Sequence, residues 1–376
     1  MKKVCILTTV HISNDVRVYH KEVKSLVKKY KVTYVAVNTD LVSSDDGNIK
    51  FVNYKRIENR LNRIFNFVNV WRLCVKQKCD IYHLQDPELI IVGLLLKIFN
   101  RKKIIYDVHE DYPDHILQKE YLNKYVKPIL SKLMKLMEVI AGKAFDYIIT
   151  ADDEVIKRFP EKKSTVIYNF PELNVFKLNS KDTLKKYDII FHGTVTKRIA
   201  TIILNITKEV IKSKRDFKVL LICGNLSTKG ITFEWVKKEM QSMQIPFDTI
   251  ELKGRVPYSE ISSYIQESKI GIIPLPNTPK FQKNIPTKLF EFMYCKVPIV
   301  ASDLYPIRKF VDGHDYCMLV NIENYDESSK VIIKLLNNEK MLNQMGEKGK
   351  ELVDNVYNWS NEEAKLFNIY KSLLKD

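Results

Sequence analysis

The sequence predicts two successive α/β domains, each a parallel sheet wound with helices. Three observations carry this. A chain of 376 residues has room for two or three domains that each bury a core. Short β-branched runs alternate with longer stretches of helical period, the pattern of strands joined by helical crossovers. The alternation stops at a polar stretch near 170–186, where Pro171, Asn174, Asn179 and Ser180 interrupt any period, and then restarts.

In the first half, strands are expected at 4–9, 32–37, 81–84, 103–107, 147–150 and 165–168, with helical stretches between most of them. The segment 56–79 reads as a helix with Ile57, Leu61, Ile64, Val68, Trp71 and Val75 as its core stripe. In the second half, strands are expected at 188–191, 219–223, 249–253, 270–274 and 298–301. The last segment, 361–374, is helical in period and follows the natural end of the second domain. Met1-Lys2-Lys3 and the apolar run to Val10 imitate the start of a signal peptide, but Asp15 and Arg17 follow closely, so the run reads as a first strand. The longest apolar stretch, 89–99, is broken by Lys97 and falls short of a membrane span.

The composition, 45% hydrophobic and 28% charged with 11 Gly and 13 Pro, excludes a disordered or fibrous chain. The charge is unusual: 61 Lys and Arg against 45 Asp and Glu give +16, a field that attracts nucleic acid, anionic membrane or phosphorylated small molecules. Residues 1–150 carry 26 basic and 16 acidic groups (+10) and the remainder 35 and 29 (+6), so the first part is the more basic. The six cysteines have no metal-site spacing, and most sit in apolar runs, which suits buried thiols in a reducing compartment.

GxGxxG, GxxxxGK and DxD are all absent, which removes the glycine-loop routes to nucleotides and the paired carboxylates that clamp a metal-bound sugar nucleotide. Polar clusters instead follow predicted strands, where ligands of open α/β sheets bind. The first runs from His11 through Asp15 and Arg17 to Glu22, where a helix should begin. It serves either a ligand oxygen at a helix N-terminus or a plain cap, with Arg17 and Glu22 on a wet face. Two more clusters, at 82–88 and 106–113, each carry a histidine with carboxylates, His83 with Asp86 and His109 with Glu110. A hydrogen-bonded structural histidine is the competing reading of each. Near 284–295, Pro286 is favoured at a first helical position, and Lys288 and Glu291 are neighbours on one face over the core stripe Leu289, Phe290 and Met293. A cation for phosphate beside a carboxylate for vicinal hydroxyls suits a nucleoside diphosphate; a surface ion pair is the alternative.

These segments together resemble the retaining glycosyltransferases of family 4, with the GT-B fold. The resemblance covers nearly the whole length. It rests on Asp15-x-Arg17-Val-Tyr-x-Lys-Glu22, His83-x-x-Asp86-Pro-Glu88-Leu, Tyr106-Asp-Val-His109-Glu-Asp-Tyr-Pro113, Phe191-His-Gly193-Thr and Pro286-Thr-Lys288-Leu-Phe-Glu291-Phe-Met, in that order. It implies two facing Rossmann-like domains with a cleft between them: an acceptor-binding domain over 1–172, a nucleotide-sugar-binding domain over 173–357, and a helix over 358–376 packing back toward the first. It implies Glu291 on the ribose hydroxyls, Lys197 or Arg198 after the Gly193 strand end on the diphosphate, and Lys288 as a second phosphate contact. The turn 254–256, with Arg255, would receive the base, and the 280–285 loop, with Asn284, the sugar. His109 would stand near the transferred sugar, with Asp15, Arg17, Asp86 and Glu110 on the acceptor side. Lys283 stands where the family has the first of two glutamates, so that half of the pattern is missing.

The implied activity is retaining transfer of a hexosyl-type sugar from a nucleoside diphosphate, with UDP the expected carrier, to a hydroxyl of a glycan or lipid-linked acceptor in cell-surface polysaccharide synthesis. Neither metal nor cofactor is expected; His109, Arg198 and Lys288 are the candidates closest to the chemistry. A GT-B sugar-nucleotide epimerase, needing no acceptor, is the alternative. Nucleic acid is excluded as a partner because no recognition helix, zinc spacing or aromatic RNA motif accompanies the charge. The expected location is cytoplasmic, peripheral on the inner face of the membrane. The basic stripe Arg56, Arg60 and Arg63, and Lys124, Lys127, Lys132 and Lys135 on a second helix, are either a solvated face or a footing on anionic lipid.

Overall fold

The computed structural model describes residues 1–39, 47–57, 66–119, 122–174, 176, 178, 183–224 and 231–374. The chain divides into two compact units, one of residues 1–169 with 359–376 and one of residues 170–358. The change of unit thus falls at 169/170, and the C-terminal segment belongs to the first unit.

The first unit is a seven-stranded sheet ordered β3-β2-β1-β4-β5-β6-β7. Its strands are β1 (Lys3–Ile12), β2 (Lys31–Val37), β3 (Ile49–Asn53), β4 (Ile81–Leu84), β5 (Lys103–Val108), β6 (Tyr147–Thr150) and β7 (Ser164–Val166). Every pairing is parallel. Successive side chains of a strand point to opposite faces, and β1 shows it: Cys5 and Leu7 enter one core, Val4 and Ile6 the other. The Cys5 side is covered by α1 (Phe67–Gln77), α2 (Ile90–Asn100) and α4 (Val126–Ala144), through Cys74, Leu96 and Ala141 among others. A short helix, α3 (Tyr112–Leu117), leads from β5 toward α4. The Val4 side is covered by residues 18–27 and by the C-terminal helix Trp359–Leu374, through Trp359, Leu366, Ile369 and Tyr370. Parallel strands buried on both faces need such two-sided cover.

The second unit has a six-stranded sheet ordered β10-β9-β8-β11-β12-β13, again all parallel. Its strands are β8 (Tyr187–Gly193), β9 (Val219–Cys223), β10 (Ile250–Lys253), β11 (Ser268–Ile273), β12 (Ile299–Ser302) and β13 (Cys317–Val320). Helix α5 (Lys197–Ile211) follows β8, and α6 (Lys288–Tyr294) lies between β11 and β12. In both sheets the winding direction reverses beside the first strand, at β1/β4 and at β8/β11. Crevices outside the carboxyl ends of strands open at such points.

Several expectations are corrected. The edge strands β3 and β13 were not among the expected strands. In α1, Trp71 and Val75 of the expected stripe pack against the core, but the fully buried residues are Val70 and Cys74, and Val68 is half-buried and outside the core cluster, so the inward face is rotated part-way from the expected stripe. Ile57 precedes this helix, and Leu61, Ile64, Arg60 and Arg63 lie outside the described residues, as do Asn179 and Ser180. All six cysteines are free and buried, as their apolar surroundings imply. Among the described residues, no helix is long and apolar enough to cross a membrane.

Candidate active site

In the first unit, the ends of β1, β4 and β5 bring three sequence clusters to one cavity of about 660 Å³. His11, Asp15, Arg17, Asp86, Glu110 and His109 all border it, with Arg56 and Lys119 further along its wall. Asp86, just past β4, is fixed by the end of β1: it accepts from the Thr8 hydroxyl at 2.9 Å, the Thr9 amide at 2.6 Å and the Thr9 hydroxyl at 3.3 Å. Asp15 accepts the amides of Arg17 and Val18, each at 2.9 Å, with one oxygen, and its other oxygen lies 3.2 Å from His11 Nδ1. Asp15 therefore does cap the turn that follows. Glu110 pairs with His115 Nδ1 at 2.5 Å.

The wet-face reading of Arg17 and Glu22 fails, because both are buried. The Arg17 guanidinium donates from Nη2 to both oxygens of Asp107 (3.1 and 2.9 Å) and from Nη1 to the Ile167 carbonyl (2.9 Å), while Nε lies 3.1 Å from Glu22 Oε1. Its expected place on the acceptor side is corrected accordingly: it borders the cavity, but its donors face inward and position the cluster. Glu22, His83 and Asp107 converge closely enough to invite a cation. That cation is Arg17. Burial, and then the charge of Asp107, push the Glu22 carboxyl well up against the pull of Arg17, whereas Arg17 first among its neighbours holds Asp107 below the usual range despite burial. The cluster thus holds one full ion pair and one carboxyl biased toward its neutral form. This is how a buried set of this kind avoids an unpaired charge.

From this cluster a hydrogen-bond chain reaches His109. Gln85 Nε2 donates to Glu22 Oε2 at 2.8 Å, which turns its carbonyl oxygen to His109 Nε2 at 2.6 Å. A carbonyl only accepts, so Nε2 of His109 carries the hydrogen and Nδ1 keeps the lone pair. Burial lowers the His109 pKa to about 4 despite the charge of Asp107. His11 differs: burial would lower its pKa, but the hydrogen bond to Asp15 and the charges of Asp86, Asp15 and Glu110 raise it to about 8. The two rings, 5.2 Å apart, therefore present a neutral acceptor and a cation at neutral pH.

In the second unit, β8 ends at Gly193, whose φ of +121° is a conformation that side chains rarely adopt. A Cβ there would stand 3.3 Å from Lys288 Nζ, which also lies 4.9 Å from the centre of the Phe191 ring. Burial lowers the Lys288 pKa against the attraction of Glu291. Three residues on, α5 begins: the Thr196 side chain caps it by accepting the Ile199 amide at 3.2 Å, and Lys197 and Arg198 fill its first turn. Lys197 Nζ stands 5.7 Å from the Trp235 ring centre. Arg198 is exposed and donates to Glu323 at 3.0 and 2.6 Å.

Glu291 is 5% exposed, so it is no member of a surface ion pair. Tyr258 donates its hydroxyl to Oε1 at 3.0 Å, and His192 Nε2 lies 3.2 Å from Oε2. Burial, and then the charge of Lys288, bring His192 down to about 3, so this ring is neutral. Leu289, Phe290 and Met293 are buried as expected, but Pro286 is not at the first helical position. The helix opens at Lys288 after a tight turn in which the Leu289 and Phe290 amides donate to the Pro286 and Thr287 carbonyls. Arg255 is exposed in the turn after β10, and Asn284 and Lys283 are half-buried in the segment before α6. His11, Gln85, Asp107, His192 and Tyr258 were not singled out as site residues, although all but Tyr258 stand inside or beside the polar clusters at strand ends.

Two family models cover the chain in succession. Glycosyltransferase Family 4 matches residues 16–174, and Glycosyl transferases group 1 matches residues 173–352. The chain belongs to the GT-B glycosyltransferases of group 1 and family 4. It is similar to TuaH of Bacillus subtilis (strain 168), a glycosyltransferase named for teichuronic acid biosynthesis, with 25% identity over 70% of this chain and 64% of that one. It is 22% identical to a chitobiosyldiphosphodolichol beta-mannosyltransferase of Candida albicans (strain SC5314 / ATCC MYA-2876) over 81% of this chain and 73% of that one. The chain spans less than two thirds of the length of TuaH. Among solved structures, sucrose-phosphate synthase from Thermosynechococcus elongatus superposes with a TM-score of 0.75 at 13% identity over 99% of each chain. Anabaena Alr3699/HepE in complex with UDP and glucose gives 0.73 at 11% identity over 99% of this glycosyltransferase and 100% of that chain. These likenesses concern the fold.

Proposed function

We propose that this glycosyltransferase moves a hexosyl-type sugar from UDP to a hydroxyl of a glycan or lipid-linked glycan, with retention at the anomeric carbon, in cell-surface polysaccharide synthesis. The observation that carries the donor half is the pairing of Lys288 Nζ with the glycine turn at Gly193, beside a carboxylate, Glu291, pinned by Tyr258. Lys288 and the N-terminus of α5, with Arg198 released from Glu323, supply positive charge to the departing diphosphate. Glu291 accepts from the ribose hydroxyls. In the first unit, His109 offers Nδ1 to a sugar hydroxyl while Asp86 and Asp15 border the acceptor. Retention and the UDP carrier rest on the family resemblance, and HepE, whose complex holds UDP and glucose, supports the carrier.

The test is calorimetry with uridine, UDP and UDP-sugars. UDP should bind, and Lys288→Ala should weaken it about 10- to 100-fold, the loss of one charged hydrogen bond, while sparing uridine. Glu291→Gln should weaken uridine and UDP alike, since a charge-assisted bond becomes a neutral one. If neither variant differs from the parent protein with any of these ligands, the donor assignment is wrong. With a productive acceptor, the anomeric configuration of the product by NMR decides retention.

A further inference from the structure

The helix α4 is two-faced in an unusual way. Its inner side, Glu138, Ala141 and Gly142, is buried, with Met134 and Met137 packed on the core. Its outer side is apolar too: Val126, Ile129, Leu133, Leu136 and Ile140 are 43, 66, 53, 55 and 37% exposed, and Tyr125 just before it is 73% exposed. Spacings of three and four residues place these five on one face. With Val139, seven of the sixteen large apolar residues exposed among those described lie in this one stretch. A soluble helix normally turns its charges outward there.

The charges on α4 decide what covers this face. Lys132, Lys135 and Lys143 are exposed, as is Lys124 just before the helix, and the helix's one carboxylate, Glu138, is buried 3.2 Å from Arg158. The exposed side therefore carries apolar and cationic groups and no acid. A second copy would meet the same lysines and be repelled. An anionic bilayer surface satisfies both halves, taking the apolar stripe into its acyl boundary and the ammonium groups among its headgroups. We infer that the outer face of α4 is an in-plane footing on anionic lipid.

The footing is tied to the cavity. Tyr112 and His115 of α3, which packs on α4, line the cavity wall together with Lys119, and Leu117 between them is 43% exposed. A lipid-linked acceptor would thus arrive along the surface that holds the enzyme. The footing itself depends on neither donor nor acceptor, so it stands or falls apart from the function proposed above.

Vesicles of phosphatidylcholine, and of phosphatidylcholine with about one third phosphatidylglycerol, sedimented with the full chain, test the inference. Binding is expected to the anionic vesicles at low salt and to be released as salt rises. The triple variant Lys132→Gln, Lys135→Gln, Lys143→Gln should bind about a hundredfold more weakly, at about 1 kcal/mol for each lysine near the surface. Ile129→Asp with Leu136→Asp should abolish binding with an unchanged melting temperature, and Ile129→Trp should give a blue-shifted emission on anionic vesicles only. Binding to neither vesicle, or equal binding by parent and triple variant, overturns the inference. So does a dimer of the parent chain that Ile129→Asp with Leu136→Asp dissociates, since the face would then be an interface between copies.

Discussion

His11 and His109 show how two identical side chains, with rings 5.2 Å apart, acquire opposite roles from their surroundings. His109 is tethered through Gln85 to a buried cluster already balanced by Arg17, so the charge of Asp107 does not outweigh its desolvation and it stays neutral. His11 faces Asp15 and Asp86, and its charged form prevails. The His11 pKa is raised from 6.5 to about 8, so its stabilisation is complete below pH 6.5 and is lost as pH rises through 8. Asp15 is held below its ordinary 3.8, so its share is present above that value and is lost only as pH falls toward the lowered one. The parent protein should therefore lose about 1–2 kcal/mol of stability between pH 6 and 9 that His11→Gln does not lose. Parallel urea titrations at the two pH values measure it; identical pH slopes in parent and variant would show that the pair contributes nothing.

At the scale of elements, what was legible depended on how many faces an element buries. The central strands β1, β4, β5, β8, β9 and β11 are buried on both sides and read as continuous apolar runs. Of the four edge strands, β7 and β10 were expected and β3 and β13 were missed: β3 is half-exposed along its length, with Lys50 and Asn53 exposed, and the four-residue β13 is buried only at its ends. The stripe of α1 was legible only in part: Trp71 and Val75 pack on the core, but Val70 and Cys74, the latter packing as a small hydrophobe, set its inner face. The candidate site was legible where it sits at strand ends, as with Asp86, His109 and Gly193. Gln85, Tyr258 and Tyr370 were not, because their roles exist only through partners distant in sequence. The C-terminal helix is the clearest such case. Trp359 donates from Nε1 to Ser25 at 2.9 Å, the Tyr370 hydroxyl lies 2.9 Å from His83 Nδ1, and Glu362 accepts the Tyr168 amide at 2.9 Å. Trp359→Ala should cost about 3–5 kcal/mol and Tyr370→Phe about 1 kcal/mol. Because this helix belongs to the first unit, both should lower one unfolding transition in calorimetry and leave that of the second unit in place. Equal shifts of every transition would contradict the assignment.

Across the whole molecule the same plan is used twice. Each unit is a parallel sheet whose winding reverses beside its first strand, and each gathers polar residues at the carboxyl ends flanking that reversal. The charge they gather differs. The first unit places the carboxylates Asp15, Asp86 and Glu110 around a cavity with the His11 cation, while the second places Lys288 at the Gly193 turn and Lys197 and Arg198 at the head of α5. In the proposed reaction a departing diphosphate needs positive charge, which side chains and helix amides of the second unit would supply. No DxD occurs in the sequence to hold a divalent cation beside a sugar nucleotide. The carboxyl groups of Glu22 and Asp107 are held by Arg17, and Glu291 is pinned by Tyr258. Transfer is therefore expected to proceed at an unchanged rate after dialysis against EDTA, with UDP release as the readout. It should fall instead in Lys288→Ala, which removes a cation from the Gly193 turn. Activity abolished by EDTA in the parent protein and recovered with magnesium or manganese would mean that the diphosphate is neutralised by metal and not by these cations.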